Sequence, residues 1–365
     1  MRHERGNRAD KQPRYMPTMG QDYASTSETA KDVNSRVGPL IEAYIESIVP
    51  QISLASAETP FVIADFGTND GINSSPLMAA IIAHVRALNL SFKFKLFYYD
   101  ISTRDNFDKF WLGSQLAQTC GVEAEFIQRS YYENYPELTG KLNIGYSSTS
   151  VHWMNTKNVS PGFFQHPVNI QPNELSGAEK HKFVEKWKKD WSDFLLKRSD
   201  EVVKGGALFM MNLADFGNDE WPASAGYNYI RDICNEMCGE KLISPEELNA
   251  IFVPDYFATP QEMQSVIDEP EIKHRFQLEH FEPVTIPCAY YPQFQGQLKD
   301  PGAREELASK LAHEVRAWSE SSIKTGLSSA HKEKIDEIYK RLESKFYQLP
   351  KALPFQYCII ELRKI

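Results

Sequence analysis

The chain has 365 residues, of which 42% are hydrophobic and 24% charged, a composition typical of a folded globular protein. Its net charge of −9 argues against nucleic-acid or anionic-membrane partners, because both bind surfaces rich in Lys and Arg. No apolar run approaches the roughly 20 residues that a membrane span requires.

The N-terminal residues 1–20 are polar and aperiodic, which predicts a mobile arm without the apolar core of a signal peptide. Five cysteines, an odd number in a long chain, favour a reducing compartment, so we expect a cytoplasmic protein. Cys234 and Cys238 share a helical face, but no second Cys or His pair has ligand spacing, and no metal site is expected.

From residue 33 onward, apolar residues alternate between helical periodicity and short buried runs. Gly205 and Gly206 follow a long helical pattern, and we expect them to end that helix as a C-cap. The predicted order is helix 33–49, strand 61–64, helix 77–88, strand 92–99, helix 107–120, strand 123–128, strand 142–146, helix 181–204 and strand 207–213.

After residue 214 the alternation is interrupted by helical segments at 229–237, 245–252, 304–318 and 330–346. Strands at 281–290 and 355–362 are predicted to close the sheet. We therefore expect an α/β fold, a doubly wound Rossmann-like sheet with an α-helical cap. The predicted ligand-binding α/β domain spans 21–214, completed by 279–293 and 355–365, and the cap comprises 215–278 and 294–354.

The segment between the first predicted strand and the next helix, residues 64–73, is rich in glycine and short polar residues. Ligands of doubly wound folds bind at the carboxyl ends of the strands, where glycine lets the backbone come close. The spacing of Gly67 and Gly71 is not the dinucleotide pattern G-x-G-x-x-G. Asp65 is placed to face a cationic group of a ligand, although glycines that merely turn the chain are an equal alternative.

Asp100 ends the second predicted strand, followed by Ile101. A carboxylate there commonly accepts hydrogen bonds from the ribose hydroxyls of an adenosine ligand, while an isolated Asp after a strand is usually a turn former or a helix cap. Because Asp100 occurs together with the glycine loop, the ligand-binding interpretation is preferred over a turn former or helix cap. One acid for an ammonium and one for a ribose fit S-adenosylmethionine.

The chain also resembles the SABATH family, named for salicylic acid, benzoic acid and theobromine methyltransferases. Five family motifs occur in order, from about residue 15 to the C-terminus. They stand here at 22–27 (Asp-Tyr-Ala-Ser-Thr-Ser), 64–73, 99–100 (Tyr-Asp), 129–132 (Arg-Ser-Tyr-Tyr) and 147–155 (Ser-Ser-Thr-Ser-Val-His-Trp-Met-Asn). Phe252, Pro254, Tyr256, Pro260 and Glu262 match a later signature with small changes.

The resemblance implies a Rossmann-like methyltransferase that uses S-adenosylmethionine and releases S-adenosylhomocysteine. It implies that Trp153 donates its indole N–H to the acceptor. His152, at a position that varies with substrate in the family, and Tyr23 are implied to contact the acceptor as well. The cofactor residues so implied or expected from position are Ser27, Asp65, Gly67, Asn73, Asp100, Ile101, Ser130, Tyr131 and Ser147.

One departure bears on the acceptor: the family's carboxylate-binding Gln falls on Ala30, so half of the usual carboxylate clamp is missing. Trp221, Tyr227 and Phe257 are candidates for the acceptor pocket, with core packing as the alternative.

We expect an enzyme of small-molecule metabolism that methylates the carboxylate of a small aromatic or apolar acid. A carboxylate acceptor needs no general acid or base, so Trp153 and His152 are expected only to position it. N-methylation of a nitrogen heterocycle stays open, with His152 as its proton acceptor or, equally, as a hydrogen-bonded core or rim histidine. A non-catalytic ligand-binding role also stays open, and a homodimer is a family-level expectation.

Overall fold

The computed structural model describes residues 28–52, 59–88, 93–218 and 221–365. Its strands are β1 Phe61–Phe66, β2 Phe94–Asp100, β3 Val122–Gln128, β4 Leu142–Ser148, β5 Val202–Leu213, β6 Phe276–Ile286 and β7 Phe355–Lys364. Its helices are α1 Glu28–Ile52, α2 Ser75–Ala87, α3 Arg104–Gly113, α4 Gly177–Glu201, α5 Ser224–Gly239, α6 Pro245–Ala250, α7 Pro260–Ile267, α8 Pro270–Lys273, α9 Tyr291–Phe294, α10 Pro301–Gly326 and α11 Lys334–Gln348.

The seven strands form one sheet in the order β3-β2-β1-β4-β5-β7-β6. The first five are parallel, and β7 runs antiparallel between β5 and β6. The chain order reverses between β1 and β4, where ligands of doubly wound sheets bind. The predicted doubly wound α/β fold is confirmed.

Alternate residues of the buried strands pack on opposite faces of the sheet. In β1, Phe61 and Ile63 join a cluster with α1 and α2, whereas Val62, Ala64 and Phe66 join a second cluster with α4. Such two-sided burial explains why the strand reads as a continuous apolar run in the sequence. On α4, Phe183, Trp187, Trp191 and Phe194 provide the predicted apolar stripe.

Several predicted boundaries are wrong, among them the end of the long helix. The long helix ends at Glu201, and Gly205 and Gly206 lie inside β5, where three extra residues bulge out between the Leu142–Val202 and Ile144–Ala207 pairs. Gly205 has φ +80°, and a Cβ at Gly206 would lie 3.0 Å from the Leu142 carbonyl oxygen, so the glycines serve the bulge.

The bounds of a second helix and of the sixth strand also differ from the prediction. The helix predicted over 107–120 is α3, which ends at Gly113, and turns occupy the residues up to 121. The sixth strand is Phe276–Ile286 and not 281–290, because its pairing with β7 starts at Phe276 opposite Lys364. Pairing with β7 sets both ends of this strand, and these ends cannot be read from the local composition.

The helices after β5 pack against one another. The Tyr227 ring of α5 packs against Trp318 of α10 in a tilted arrangement, with 4.5 Å between ring centroids, and Tyr229 contacts Phe346 of α11. The division into a sheet domain and a cap at the predicted boundaries stays a prediction. Within the described ranges, no helix is long and apolar enough to cross a membrane.

Candidate active site

A pocket opens at the carboxyl ends of β1, β2 and β4, beside the glycine loop that joins β1 to α2. Gly67 and Gly71 both have φ +84°, a conformation that favours glycine. A Cβ at Gly67 would lie 2.4 Å from Ser150 Oγ, so the loop also needs a residue without a side chain there. The glycines therefore bring the loop backbone against the turn that follows β4.

Asp100 ties this loop to the end of β2. Its Oδ2 accepts a hydrogen bond from the Asn69 backbone N–H and its Oδ1 one from the Ser102 N–H, both at 2.8 Å. The Ser102 hydroxyl in turn donates to the Asn69 carbonyl at 3.0 Å. The carboxylate thus orders two segments of the pocket wall and still has lone pairs for a ligand.

Two acids of like charge lie in the same pocket. Asp65 is only 3% exposed, and burial raises its pKa to about 6, with the Asp100 charge adding to the rise and the Ser74 and Thr68 hydroxyls opposing it. Burial also raises the pKa of Asp100, against the hydrogen bonds from Ser102 and Asn69. A cationic ligand would favour the ionised forms and relieve this cost.

Two tyrosines hold the turn after β4. The Tyr131 hydroxyl donates to the Ser150 carbonyl at 2.9 Å, and the Tyr132 hydroxyl donates to the Trp153 carbonyl at 2.7 Å. Trp153 lines the pocket, yet its indole N–H, although buried, has no hydrogen-bond acceptor among the described residues. A fixed and unpaired donor of this kind suits an oxygen of a bound acceptor.

The predicted acceptor residues fall into two layers. Trp153 faces the cofactor pocket, whereas His152, Phe257, Tyr227 and Trp221 lie behind it and do not line that pocket. The His152 ring contacts both Trp153 and Phe257, with centroids 5.5 and 5.6 Å away. Burial lowers the pKa of His152 to about 3, so its ring is neutral at physiological pH.

The predicted cofactor residues mostly converge on the pocket. Its walls include Asp65, Gly67, Asn73, Asp100, Ile101, Ser130 and Tyr131. Ser147 does not line it, because its hydroxyl is buried and donates to the Phe66 carbonyl at 3.0 Å. Tyr23 and Ser27 lie outside the described residues.

Asn34 of α1 also lines the pocket, although no sequence motif predicts it there. Its amide donates to the Asn73 carbonyl, and its Oδ1 accepts from the Tyr146 and Ser148 hydroxyls at 2.6 and 2.8 Å. A single Asn on an amphipathic helix carries no recognisable signal, since its partners are at least 39 residues away. By contrast, Ser148, Thr149 and Ser150 lie within a motif that the sequence does display.

The side chains of this pocket fit S-adenosylmethionine. Asp65 and Asp100 match its ammonium and ribose hydroxyls, and the amide atoms Asn69 Nδ2 and Asn73 Oδ1 are buried without partners among the described residues. Tyr131, Tyr132 and Trp153 add ring surface beside these polar groups. Polar groups of this kind on an otherwise apolar wall are typical of cofactor sites.

Comparison with known proteins agrees with this chemistry. A family described as SAM-dependent carboxyl methyltransferases matches residues 17–364. Salicylate carboxymethyltransferase of Clarkia breweri is 24% identical, over 88% of this chain and 89% of its own. Farnesoic acid carboxyl-O-methyltransferase of Arabidopsis thaliana is also 24% identical, over 94% of this chain and 97% of its own.

Among solved structures, loganic acid methyltransferase with S-adenosylhomocysteine shares the fold, with a TM-score of 0.70. The two chains are 20% identical, and the match covers 95% of this chain and 98% of the other. The family match extends over nearly the whole chain and includes every segment of the pocket. The protein therefore belongs to the SABATH family of S-adenosylmethionine-dependent carboxyl methyltransferases.

Proposed function

We propose that the protein methylates the carboxylate of a small aromatic or otherwise apolar acid, and that Trp153 binds that carboxylate. The observation that carries the proposal is the buried indole N–H of Trp153, which lines the cofactor pocket without an acceptor among the described residues. The family to which the chain belongs supports the same chemistry. The roles of individual residues are part of the proposal.

Asp65 and Asp100 would hold the cofactor through its ammonium and its ribose hydroxyls. Asn73, Ser130 and Tyr131 would contact the rest of it, as the resemblance to the family implies. When bound, the cofactor would supply a methyl group attached to a positively charged sulfur. The acceptor oxygen would bond to the methyl carbon as the carbon–sulfur bond on the opposite side breaks. The chain's contribution is to orient the acceptor and exclude water, and orientation alone can supply about 7–11 kcal/mol at best.

The state of His152 supports a carboxylate over a nitrogen acceptor. A carboxylic acid with a pKa of about 4 is ionised at neutral pH and needs no general base. A ring nitrogen that must lose a proton does need one, and His152, with its pKa near 3, is a weak base. Ala30, where the family has a carboxylate-binding Gln, is the observation that keeps N-methylation as a second candidate.

The test is a panel of acids and nitrogen heterocycles incubated with methyl-labelled cofactor. We expect label in products that mild base hydrolyses, because esters are cleaved and N-methyl groups are not. Base-stable products from heterocycles that lack a carboxyl or hydroxyl group would establish the second candidate, because O-methyl ethers are stable to base as well. Binding of S-adenosylhomocysteine without methylation of any compound would favour a non-catalytic role.

The Trp153→Phe variant tests the assigned hydrogen bond. We expect the KM for the acid to rise about tenfold with unchanged affinity for S-adenosylhomocysteine, because the lost bond goes to a charged group. Trp191→Phe is the matched control, since its indole N–H is likewise buried without a partner among the described residues but packs against Trp187. An equal rise in KM in both variants would contradict the assignment.

We further propose that the protein is a cytoplasmic homodimer without nucleic-acid or membrane partners. The family resemblance supports the dimer, and the net charge of −9 supports the lack of nucleic-acid binding. Light scattering coupled to size-exclusion chromatography measures the mass directly. A monomer mass of 41.8 kDa at micromolar concentration would contradict the dimer.

A further inference from the structure

His152 and Trp153, which follow β4, contact rings from residues 221–257, and we call the whole set the ring cluster. Tyr227 lies 5.0 Å from Trp221 and 6.0 Å from Phe257, centroid to centroid. Its members are His152, Trp153, Trp221, Tyr227 and Phe257.

This apolar cluster contains a carboxylate that the proposed reaction does not use. Asp255 is 1% exposed, and its Oδ2 accepts a hydrogen bond from the Tyr227 hydroxyl at 2.5 Å. Its Oδ1 is buried and has no partner among the described residues. Burial raises the pKa of Asp255 to about 7, and the nearby Tyr227 hydroxyl and Gln171 amide oppose the rise. The Gln171 amide donates to the Asp255 backbone carbonyl.

The backbone places Asp255 beside Trp153. The two residues form an antiparallel bridge, flanked by hydrogen bonds from the Met154 N–H to the Pro254 carbonyl and from the Tyr256 N–H to the His152 carbonyl. Paired residues of this kind project their side chains from the same face, with Cβ atoms about 4.5–5.5 Å apart. The side chains of Trp153 and Asp255 therefore project from the same face of this bridge.

The two side chains have opposite hydrogen-bonding needs. Trp153 Nε1 is a donor without an acceptor, and Asp255 Oδ1 is an acceptor without a donor, within the part of the chain that the structure describes. A buried polar atom without a partner costs free energy that a ligand can recover. One molecule that carries both a carboxylate and a nearby hydrogen-bond donor would satisfy both atoms.

We propose that Asp255, oriented by Tyr227, makes the enzyme selective for acids that carry a hydroxyl or a ring N–H on their apolar skeleton. The inference rests on the proposed function, because it assumes that Trp153 takes the carboxylate end of the acceptor. An acid without such a donor leaves Asp255 Oδ1 unpaired in the complex. A second carboxylate on the acceptor would meet the charge of Asp255, so dicarboxylic acids are poor substrates.

The test uses pairs of acids that differ only in the donor. One pair is indole-3-acetate and 1-benzothiophene-3-acetate, in which sulfur replaces the N–H. Three others are the 2-, 3- and 4-hydroxybenzoates, each against the fluorobenzoate with the same substitution position. Methyl-ester formation is measured at pH 8, and binding of each acid to the protein saturated with S-adenosylhomocysteine is measured by calorimetry.

For at least one pair we expect kcat/KM to favour the donor-bearing acid by about tenfold or more, since sites built around a substrate donor reject analogues that lack it. In Asp255→Asn the side-chain oxygen can accept the hydrogen bond from the Tyr227 hydroxyl. The NH₂ group of the Asn side chain then faces the acceptor and offers a donor in place of the carboxylate oxygen. The ratio should then fall towards one or reverse. Asp255→Leu should abolish it, and the melting temperature and S-adenosylhomocysteine affinity report whether each variant folds.

Glu361→Gln is the matched control, because it removes another buried carboxylate, on β7 beside Arg363, and should leave every ratio unchanged. If both members of every pair form esters with equal kcat/KM, the proposed selectivity is overturned, but the proposed function still stands. A ratio that survives in Asp255→Asn and Asp255→Leu also overturns it, as does methylation of the hydroxyl or N–H itself. If no acid is bound or methylated, the proposed function fails and takes this inference with it.

Discussion

Replacing Asp65 by Asn should stabilise the free protein and weaken cofactor binding at the same time. Asp65 is buried in β1, between β2 and β4, and burial raises its pKa from 3.8 to about 6. The shift of about 2 units means that ionising Asp65 in the folded state costs about 3 kcal/mol more than in the unfolded chain. Asn has nearly the same shape and carries no charge, so it removes that cost.

The sign of the pH dependence follows from the raised pKa. Below pH 3.8 the carboxyl is protonated in both states, and wild type and Asp65→Asn should differ little. As pH rises from about 4 to about 6, the wild type loses stability relative to the variant, and the difference levels off near 3 kcal/mol above pH 6. Urea unfolding at pH 4 and pH 8 measures the difference directly.

Cofactor binding should change in the opposite direction. S-adenosylhomocysteine keeps the ammonium that Asp65 is proposed to bind, and a hydrogen bond to a charged group contributes about 1.5–3 kcal/mol. Its affinity for Asp65→Asn at pH 8 should therefore fall about 10- to 150-fold by calorimetry. Asp108→Asn, on the exposed surface of α3, is the control for loss of an acid. A variant that is less stable at pH 8 and binds S-adenosylhomocysteine as tightly as wild type would refute the reasoning.

Three further variants test the pocket walls. Asp100→Ala should lower S-adenosylhomocysteine affinity at least about tenfold, because it loses a charged acceptor and frees the Asn69 and Ser102 N–H groups; equal affinity by calorimetry would contradict the ribose role. Gly67→Ala should lower the free energy of unfolding in urea by more than Gly121→Ala does, since both have positive φ but only Gly67 would also clash with Ser150. Asn34→Ala should cost about 1–3 kcal/mol in the same assay, because the Tyr146 and Ser148 hydroxyls lose their acceptor; unchanged stability would show that α1 does not depend on this contact.

The motif residues of the pocket could be located from the sequence because they lie within short segments. Asp65, Gly67 and Asn73 are within ten residues of one another, and Asp100 ends the next strand. Parallel strands in one sheet bring these ends to the same edge, so the chain order alone puts them together. Asn34 and Asp255 could not be found in this way, because each acquires its significance from partners remote in sequence.

The sequence by itself determined the alternation of buried strands and helices, and hence the doubly wound sheet, because the apolar periodicity is local. It also determined the family, since the motifs occur in order. Only the tertiary structure decided where β5 and β6 begin, as partner strands set those ends. It also decided that Ser147 supports β1 behind the pocket and that Asp255 lies beside Trp153. Contacts across 81 and 102 residues depend on how the sheet and cap pack together, and no local pattern encodes them.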